Sequence, residues 1–305
     1  MCFCTIKSSI VTDFSNNKRG KEGDEKPYVG ITGVDARVCA LVTGASSGMG
    51  VHYAGQLYAM GYNVLLVSNQ EKEIKEVADR IANSSSTANE NNDAHWARGL
   101  YKDLSSPDSA MELFNYCNTM GYEVEVLVNN AGIFFFKELV DCTIQRIETI
   151  ISLHVGTVTL LCRLFGEQMC NRRRGYILNM SSISTATPFS GISLYTATKS
   201  YIKNFSLALR LEMMESGVRV LIVSPGAVAT DLYNLPKNLQ QLGVKLGVIY
   251  RPEKLVSKAL KKLFNGRRGV FVPGCLNYLF KPIYAMLPLS FKMYARRRIK
   301  IIINS

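Results

Sequence analysis

Histidine is scarce in this chain, with three in 305 residues, and the eight cysteines include no C-x-x-C pair. Without either pattern there is no zinc-finger spacing, and no metal site is expected. Cys39, Cys117, Cys142, Cys162, Cys170 and Cys275 stand singly, while Cys2 and Cys4 form only a C-x-C near the chain start. Buried free thiols in a reducing compartment are the expected state. No charged start leads into an apolar run, so no signal peptide is read. No stretch reaches the roughly 18 apolar residues of a membrane span. The nearest, "GVFVPGCLNYLFKPIYAMLPLSF" (269–291), is broken by Pro273, Lys281, Pro282 and Pro288. A cytoplasmic protein is expected.

Acidic residues are also few. Against 36 Lys and Arg there are 24 Asp and Glu, a formal net charge of +12. Such an excess favours anionic partners: a phosphate-bearing cofactor, a membrane surface or nucleic acid. The charge is clustered in "NRRRG" (171–175), "KKLFNGRRG" (261–269) and "KMYARRRIK" (292–300), which reads as local basic patches. With no zinc-finger or RNA-binding signature, no nucleic-acid partner is expected.

What is present is a regular alternation. Residues 1–35 lack apolar periodicity and read as a disordered extension or a misplaced start; 36–275 form the catalytic domain. Within it, short apolar runs ("VCALVTG", "YNVLLVS", "HWARGLYKD", "EVEVLVNNAG", "GYILNMSS", "VRVLIVSPG", "RGVFVPG") alternate with helical patterns. One long helical stretch is expected over "CTIQRIETIISLHVGTVTLLCRLFGEQMCN". Alternation of this kind implies right-handed βαβ units. Runs apolar on both faces imply a buried parallel sheet. The expected fold is α/β: one Rossmann-type, doubly wound parallel sheet of about seven strands.

"TGASSGMG" (43–50) stands where the first strand hands over to the first helix. Gly44 would permit the tight turn, Gly48 the approach of a pyrophosphate, and Gly50 close helix–strand packing. The helix N-terminus then offers N–H groups to an anion. A structural turn alone would also use glycines; the position after the first strand favours dinucleotide binding. The second strand ends in neutral Ser68 and Asn69, with Lys72 following. A missing carboxylate removes repulsion against a 2′-phosphate, so NADP(H) is favoured over NAD(H).

Tyr195 precedes Lys199 by four residues in "YTATK", one helical turn, which places phenol and ammonium on one face. A phenol of pKa about 10 shuttles protons poorly at neutral pH, and lowering it by about three units takes about 4 kcal/mol. A nearby ammonium acts in that direction. Ser182, thirteen residues earlier, can donate to an oxygen gaining charge. The bland alternatives are a tyrosine packed on the core and a serine bonded to backbone in a turn.

Taken together, "TGASSGMG", "NNAG" (129–132), "NMSS", "YTATK" and "SPGAVATD" (224–231) resemble the short-chain dehydrogenase/reductase family over about residues 38–270. The resemblance implies hydride transfer between a nicotinamide cofactor and a carbonyl or alcohol. It implies Tyr195 as general acid/base, Ser182 as the orienting serine and Lys199 as the ribose-holding residue that tunes the tyrosine. It also implies cofactor contacts from Gly44, Ser46, Ser47, Gly48, Met49, Gly50 and Asn69, and from Asn130, Ala131 and Gly132. After the last long strand it adds Pro225, Gly226, Val228 and Thr230. Asp103 and Leu104 match the adenine-contacting pair, although Asp103 could instead cap the helix after "DLSSPDS".

One departure concerns the family's catalytic asparagine, whose place falls to His154. It could serve the proton path and add pH sensitivity, or merely pack at the helix face. The glycine of "SLHVGT" also comes one residue early relative to the usual pattern. Residues 276–305 mix apolar and basic residues, as a substrate cover, a membrane-surface segment or a packed helix would. The expected substrate is an apolar carbonyl compound such as a 3-oxoacyl chain, keto-lipid or steroid. A homodimer or homotetramer through the helices near 142–172 and 194–216 is implied by the resemblance. The rival readings are a dinucleotide-binding regulator with altered catalysis and a peripheral membrane protein acting through its tail.

Overall fold

The seven apolar runs form seven strands in the computed structural model, and each pairs parallel to its neighbours. They are β1 (Val38–Thr43), β2 (Asn63–Ser68), β3 (Ala97–Tyr101), β4 (Glu123–Asn129), β5 (Gly175–Met180), β6 (Val218–Val223) and β7 (Val270–Phe271). Their order is β3-β2-β1-β4-β5-β6-β7. The structure describes residues 37–84, 95–186, 190–230, 232, 237–245, 249–266 and 269–273, with 288, 290 and 293. The extension 1–35, nearly all of the tail 276–305, and Cys2, Cys4 and Cys275 lie outside the described residues.

The helices are α1 (Gly48–Ala59), α2 (Glu71–Ala82), α3 (Ser109–Thr119), α4 (Ile144–Ile151), α5 (Val158–Asn171), α6 (Ser193–Met214), α7 (Lys237–Lys245) and α8 (Pro252–Asn265). Successive strand residues point to opposite faces, and both faces are covered. Ala40 and Val42 of β1 join Tyr53, Leu57, Ile74 and Leu260 beneath α1, α2 and α8. Cys39 and Leu41 join Leu113, Leu161, Phe165 and Leu209 beneath α3, α5 and α6. The strand order reverses between β1 and β4, and a crevice opens there beyond the carboxyl ends of the strands, the usual ligand position in such sheets.

Three expectations need correction. The long helix after the fourth strand is not continuous α-helix: Ser152–Thr157 is a π-helical segment between α4 and α5. An extra residue per turn is inserted where the glycine stands early, and such bulges gather at functional sites. This run, Ile144–Asn171, also reaches the length and mean hydropathy of a membrane span, 1.5 in its best window. Half of that window is buried inside the domain, as expected of a core helix.

Second, "NRRRG" is not a free basic patch. Arg172 pairs with Glu123 at 3.4 Å, and Arg174 pairs with the buried Glu125, which also accepts from Tyr62 Oη at 3.2 Å. Arg173 donates to the Glu215 carbonyl at 3.0 Å. The pairs tie the amino ends of β4 and β5 together, away from the crevice. Third, of the five cysteines among the described residues, Cys39, Cys117 and Cys162 are buried while Cys142 and Cys170 are half-buried. Burial pushes the thiols of Cys117 and Cys162 up to about 12, so neither is a nucleophile at neutral pH.

Candidate active site

The crevice is organised by the turn after β1. Gly44 and Gly48 take φ of +64° and +55°, a region that other residues enter only with strain. A Cβ on Gly44 would stand 2.8 Å from Ala131 Cα, so the end of β4 packs directly on the turn. Thr43 Oγ1 accepts from the N–H groups of Asn130 and Ala131, both at 3.0 Å, and donates to the Val128 carbonyl at 3.3 Å. Asn130 Nδ2 in turn donates to the carbonyls of Thr43 and Gly44 at 3.0 Å. "NNAG" is therefore the brace that fixes the glycine turn across the switch point.

Around this brace, the ends of six strands, β1 to β6, line one cavity of about 320 Å³. The turn supplies Gly44, Ser46, Ser47, Gly48 and Met49. Asn69 comes from the end of β2, Asp103 and Leu104 from β3, and Asn130, Ala131 and Gly132 from β4. Pro225, Gly226, Val228 and Thr230 follow β6, and α6 contributes Tyr195 and Lys199. Gly50, Ser182 and His154 are not on the wall. Gly50 acts from behind, since a Cβ there would lie 2.0 Å from the Gly44 carbonyl oxygen. The cradle fits a dinucleotide: backbone is laid bare at Gly44 and Gly48, and the N-terminus of α1 faces the space.

At one end the wall is polar, with neutral groups beside the charged Lys102 and Asp103. Ser46 Oγ lies 2.8 Å from Ser68 Oγ and donates to Gln70 Oε1 at 2.6 Å. Asp103 does not cap α3; its carboxylate accepts from the N–H and hydroxyl of Ser105 at 2.9 and 2.8 Å, and the residue before α3 is Asp108. Lys72 does not line the cavity, lying 4.0 Å from Glu76 with its side chain 85% exposed. Lys102 does line it and was not singled out from sequence. Its backbone N–H donates to the Ser68 carbonyl at 2.8 Å, and its ammonium lies 2.5 Å from Glu112. A cation after β3 becomes legible as a wall residue only once β3 is known to lie beside β2.

At the other end, Tyr195 and Lys199 are both buried on one face of α6. Lys199 Nζ lies 5.8 Å from the Tyr195 ring centre and donates to the Met180 carbonyl at 2.9 Å. Burial pulls this ammonium down to about 8. Phe134 meets the Tyr195 ring edge-to-face at 5.0 Å between centres, which puts an apolar wall beside the phenol. Ser182 follows β5 two residues after Met180, and its Oγ accepts from the Ser184 N–H at 3.2 Å. That bond uses a lone pair only; the hydroxyl hydrogen remains available for donation.

His154 is fully buried in the π segment. Its Nε2 accepts from the Ile133 N–H at 3.1 Å, and its Nδ1 lies 2.9 Å from Thr198 Oγ1, which donates to the Tyr195 carbonyl at 3.0 Å. An Nε2 that accepts carries no proton, and a Thr198 hydroxyl that donates elsewhere must accept from Nδ1. The neutral Nδ1–H tautomer follows from the two bonds. Burial, with Lys199 nearby, holds the imidazole well below its ordinary value. The ring is a neutral clamp between the loop after β4 and the helix of Tyr195, and it does not titrate at working pH.

Replacing this ring should show which bond matters. His154→Leu leaves the half-buried Ile133 N–H without this partner and should cost about 1 kcal/mol. His154→Asn, whose amide oxygen can accept the same N–H, should lose less than half of that in thermal denaturation. Equal losses would sink the clamp. Because the folded-state pKa is depressed, the unfolded chain binds the extra proton below about pH 6.5. The wild type should therefore lose stability as pH falls through that value, and His154→Asn should lose less.

The comparisons with known proteins follow the same lines. The family model for short chain dehydrogenases matches residues 38–240. The very-long-chain 3-oxoacyl-CoA reductase-A of Danio rerio is 28% identical over 271 residues, spanning 85% of this chain and 81% of that protein. The 17-beta-hydroxysteroid dehydrogenase type 3 of Danio rerio is 28% identical and spans 74% and 70%. A solved short-chain dehydrogenase from Sphingobium yanoikuyae, in complex with NADPH, superposes with a TM-score of 0.67 at 26% identity, over 82% of this chain and 96% of that one. The chain is thus an NAD(P)-binding oxidoreductase acting on CH–OH or C=O groups, and it belongs to the short-chain dehydrogenase/reductase family.

Proposed function

We propose that the protein is an NADP(H)-dependent carbonyl reductase or alcohol dehydrogenase for an apolar 3-oxoacyl, keto-lipid or steroid substrate. The observation that carries the reading is the buried ammonium of Lys199, one turn from the Tyr195 phenol at the floor of the crevice. The bound nicotinamide supplies or accepts the hydride. Tyr195 gives its proton to the carbonyl oxygen during reduction and takes it back during oxidation. Ser182 donates a hydrogen bond to the same oxygen, and Lys199 holds the ribose while its charge favours the phenolate. Phe134 and the relatives' names support an apolar carbonyl substrate. Buried free thiols support a reducing, cytoplasmic setting. Loss of NADPH absorbance against 3-oxoacyl thioesters, keto-sphingoid bases and steroid ketones, with Tyr195→Phe as the blank, tests the assignment. No turnover on any of them would overturn it.

Preference for the 2′-phosphate rests on the neutral Ser46, Ser68 and Gln70 and on Lys102, the cation lining that end. Fluorescence titration should give tighter binding of NADPH than of NADH, and Lys102→Gln should reduce that ratio about fivefold or more, equivalent to about 1 kcal/mol. An unchanged ratio would remove Lys102 from the reading. Lys199 predicts the pH course of the same titration. Its ammonium deprotonates around pH 8 in the empty site. Binding both cofactors should weaken as pH rises through that value, and a flat profile to pH 10 would contradict it.

We also propose a homodimer or homotetramer. Ile144, Ile151, Leu160, Tyr201, Leu211 and Met214 are exposed on α4, α5 and α6. These are the two helical stretches that the family resemblance singles out, and the Thr159 and Tyr201 hydroxyls link them at 2.9 Å. Sedimentation should return an oligomer that Leu211→Glu dissociates; a wild-type monomer would overturn this.

A further inference from the structure

A second cleft, of about 1250 Å³, lies on the other side of the α1 N-terminus and shares Gly48 and Thr230 with the cofactor cavity. Its described wall carries four cations from three elements: Arg80 of α2, Lys245 of α7, and Arg251 and Lys254 at the start of α8. Among the described residues the one lining carboxylate, Glu253, is 3.8 Å from His52 Nε2. Among the described residues, none of the four cations has an ion-pair partner. Contrast the arginines at the foot of β4 and β5, which the fold neutralises with Glu123 and Glu125.

Like charges converging on one concave surface repel one another and focus a positive potential into it. A ligand bearing several negative charges relieves that repulsion and gains from each cation; a neutral ligand gains nothing. The dinucleotide already has its own cavity, with the glycine turn between the two. A cleft this large exceeds a single phosphate, and it shares Thr230 with the cavity that Tyr195 also lines. The ligand required is long, polyanionic at one end and apolar at the other.

We infer that this cleft holds the 3′-phosphorylated nucleotide of a coenzyme A thioester, with the pantetheine arm passing Thr230 to deliver a 3-oxoacyl carbonyl to Tyr195. The inference rests on the proposed function and narrows it: a steroid ketone carries no charge for these four cations, whereas an acyl-CoA does. The chemistry at the carbonyl is unchanged, hydride adding to carbon and the Tyr195 proton to oxygen.

The test compares a 3-oxoacyl-CoA with the same acyl group on N-acetylcysteamine, which lacks every phosphate, at saturating NADPH. In the wild type, kcat/KM should favour the CoA thioester by tenfold or more, and 100 to 300 mM salt should erode the advantage. In the double variant Lys245→Glu, Arg251→Glu the ratio of the two kcat/KM values should fall at least tenfold, through KM for the CoA thioester. Calorimetric titration with adenosine 3′,5′-bisphosphate on the NADP-loaded protein should show binding that the variant loses. Equal kcat/KM for both thioesters in the wild type, an unmoved ratio in the variant, or no bisphosphate binding would each overturn the cleft assignment. Bisphosphate binding lost in the variant, without turnover of either thioester, would uphold the cleft and overturn the reductase reading instead.

Discussion

Tyr195→Phe should lower turnover by about 10²- to 10⁴-fold, the range that general acid–base catalysis supplies, while leaving dinucleotide affinity within about twofold. The separation follows from where each group is anchored. The phenylalanine ring fills the same buried volume and keeps the edge-to-face contact with Phe134, so the helix face is not disturbed. Lys199 is held by the Met180 carbonyl, on the neighbouring strand end, a bond the substitution leaves in place. His154 reaches the tyrosine through its backbone carbonyl by way of Thr198, a path indifferent to the ring's substituent. What is removed is the hydroxyl that carries the proton. Stopped-flow absorbance of the reduced cofactor, beside fluorescence titration of its binding, measures both halves. Undiminished turnover would remove Tyr195 from the chemistry. Turnover and affinity lost together would make it a structural residue of the cofactor floor.

How far the sequence carries this site depends on whether a feature is local. The strands are legible because "VCALV" and "VRVLIV" are apolar on both faces, which a sheet sandwiched between helices requires. The glycine turn and the Tyr195–Lys199 turn are legible because each completes its geometry within eight residues. His154 is legible as a departure but not as a clamp, because its partners Ile133 and Thr198 lie 21 and 44 residues away. The π segment leaves one trace, the early glycine of "SLHVGT", since an inserted residue shifts the phase of everything after it. Helix α7 is nine residues long and polar on average, too short a pattern to separate it from the loop around it. The arginines of "NRRRG" look free because Glu123 and Glu125 are some fifty residues distant. Charge is the least local property of the chain, so its fate is the hardest to read.

Gly50→Ala should nearly abolish dinucleotide binding and destabilise the fold by about 1–3 kcal/mol or more, although alanine is the better helix former. The added Cβ would lie 2.0 Å from the Gly44 carbonyl oxygen and 2.8 Å from Ala45 Cα. Both are backbone atoms of the turn, which cannot rotate away as a side chain would. The turn is itself held by Asn130 Nδ2 through the Thr43 and Gly44 carbonyls, so relief must come from α1. But α1 is pinned by Tyr53 and Leu57, both fully buried against β1 and its neighbours. Any shift opens that contact and carries the first N–H groups of α1 away from the phosphates they would face. Gly55 supplies the control on the same helix: a Cβ there meets nothing within 4 Å. Gly55→Ala should leave binding unchanged and stabilise the protein by up to about 1 kcal/mol, through the entropy that glycine loses on entering a helix. Denaturant melts and cofactor titrations of the two variants should therefore move in opposite directions. If both alanines are tolerated alike, the contact of α1 with the turn is looser than its geometry requires, and the third glycine of the motif would not set the cofactor site.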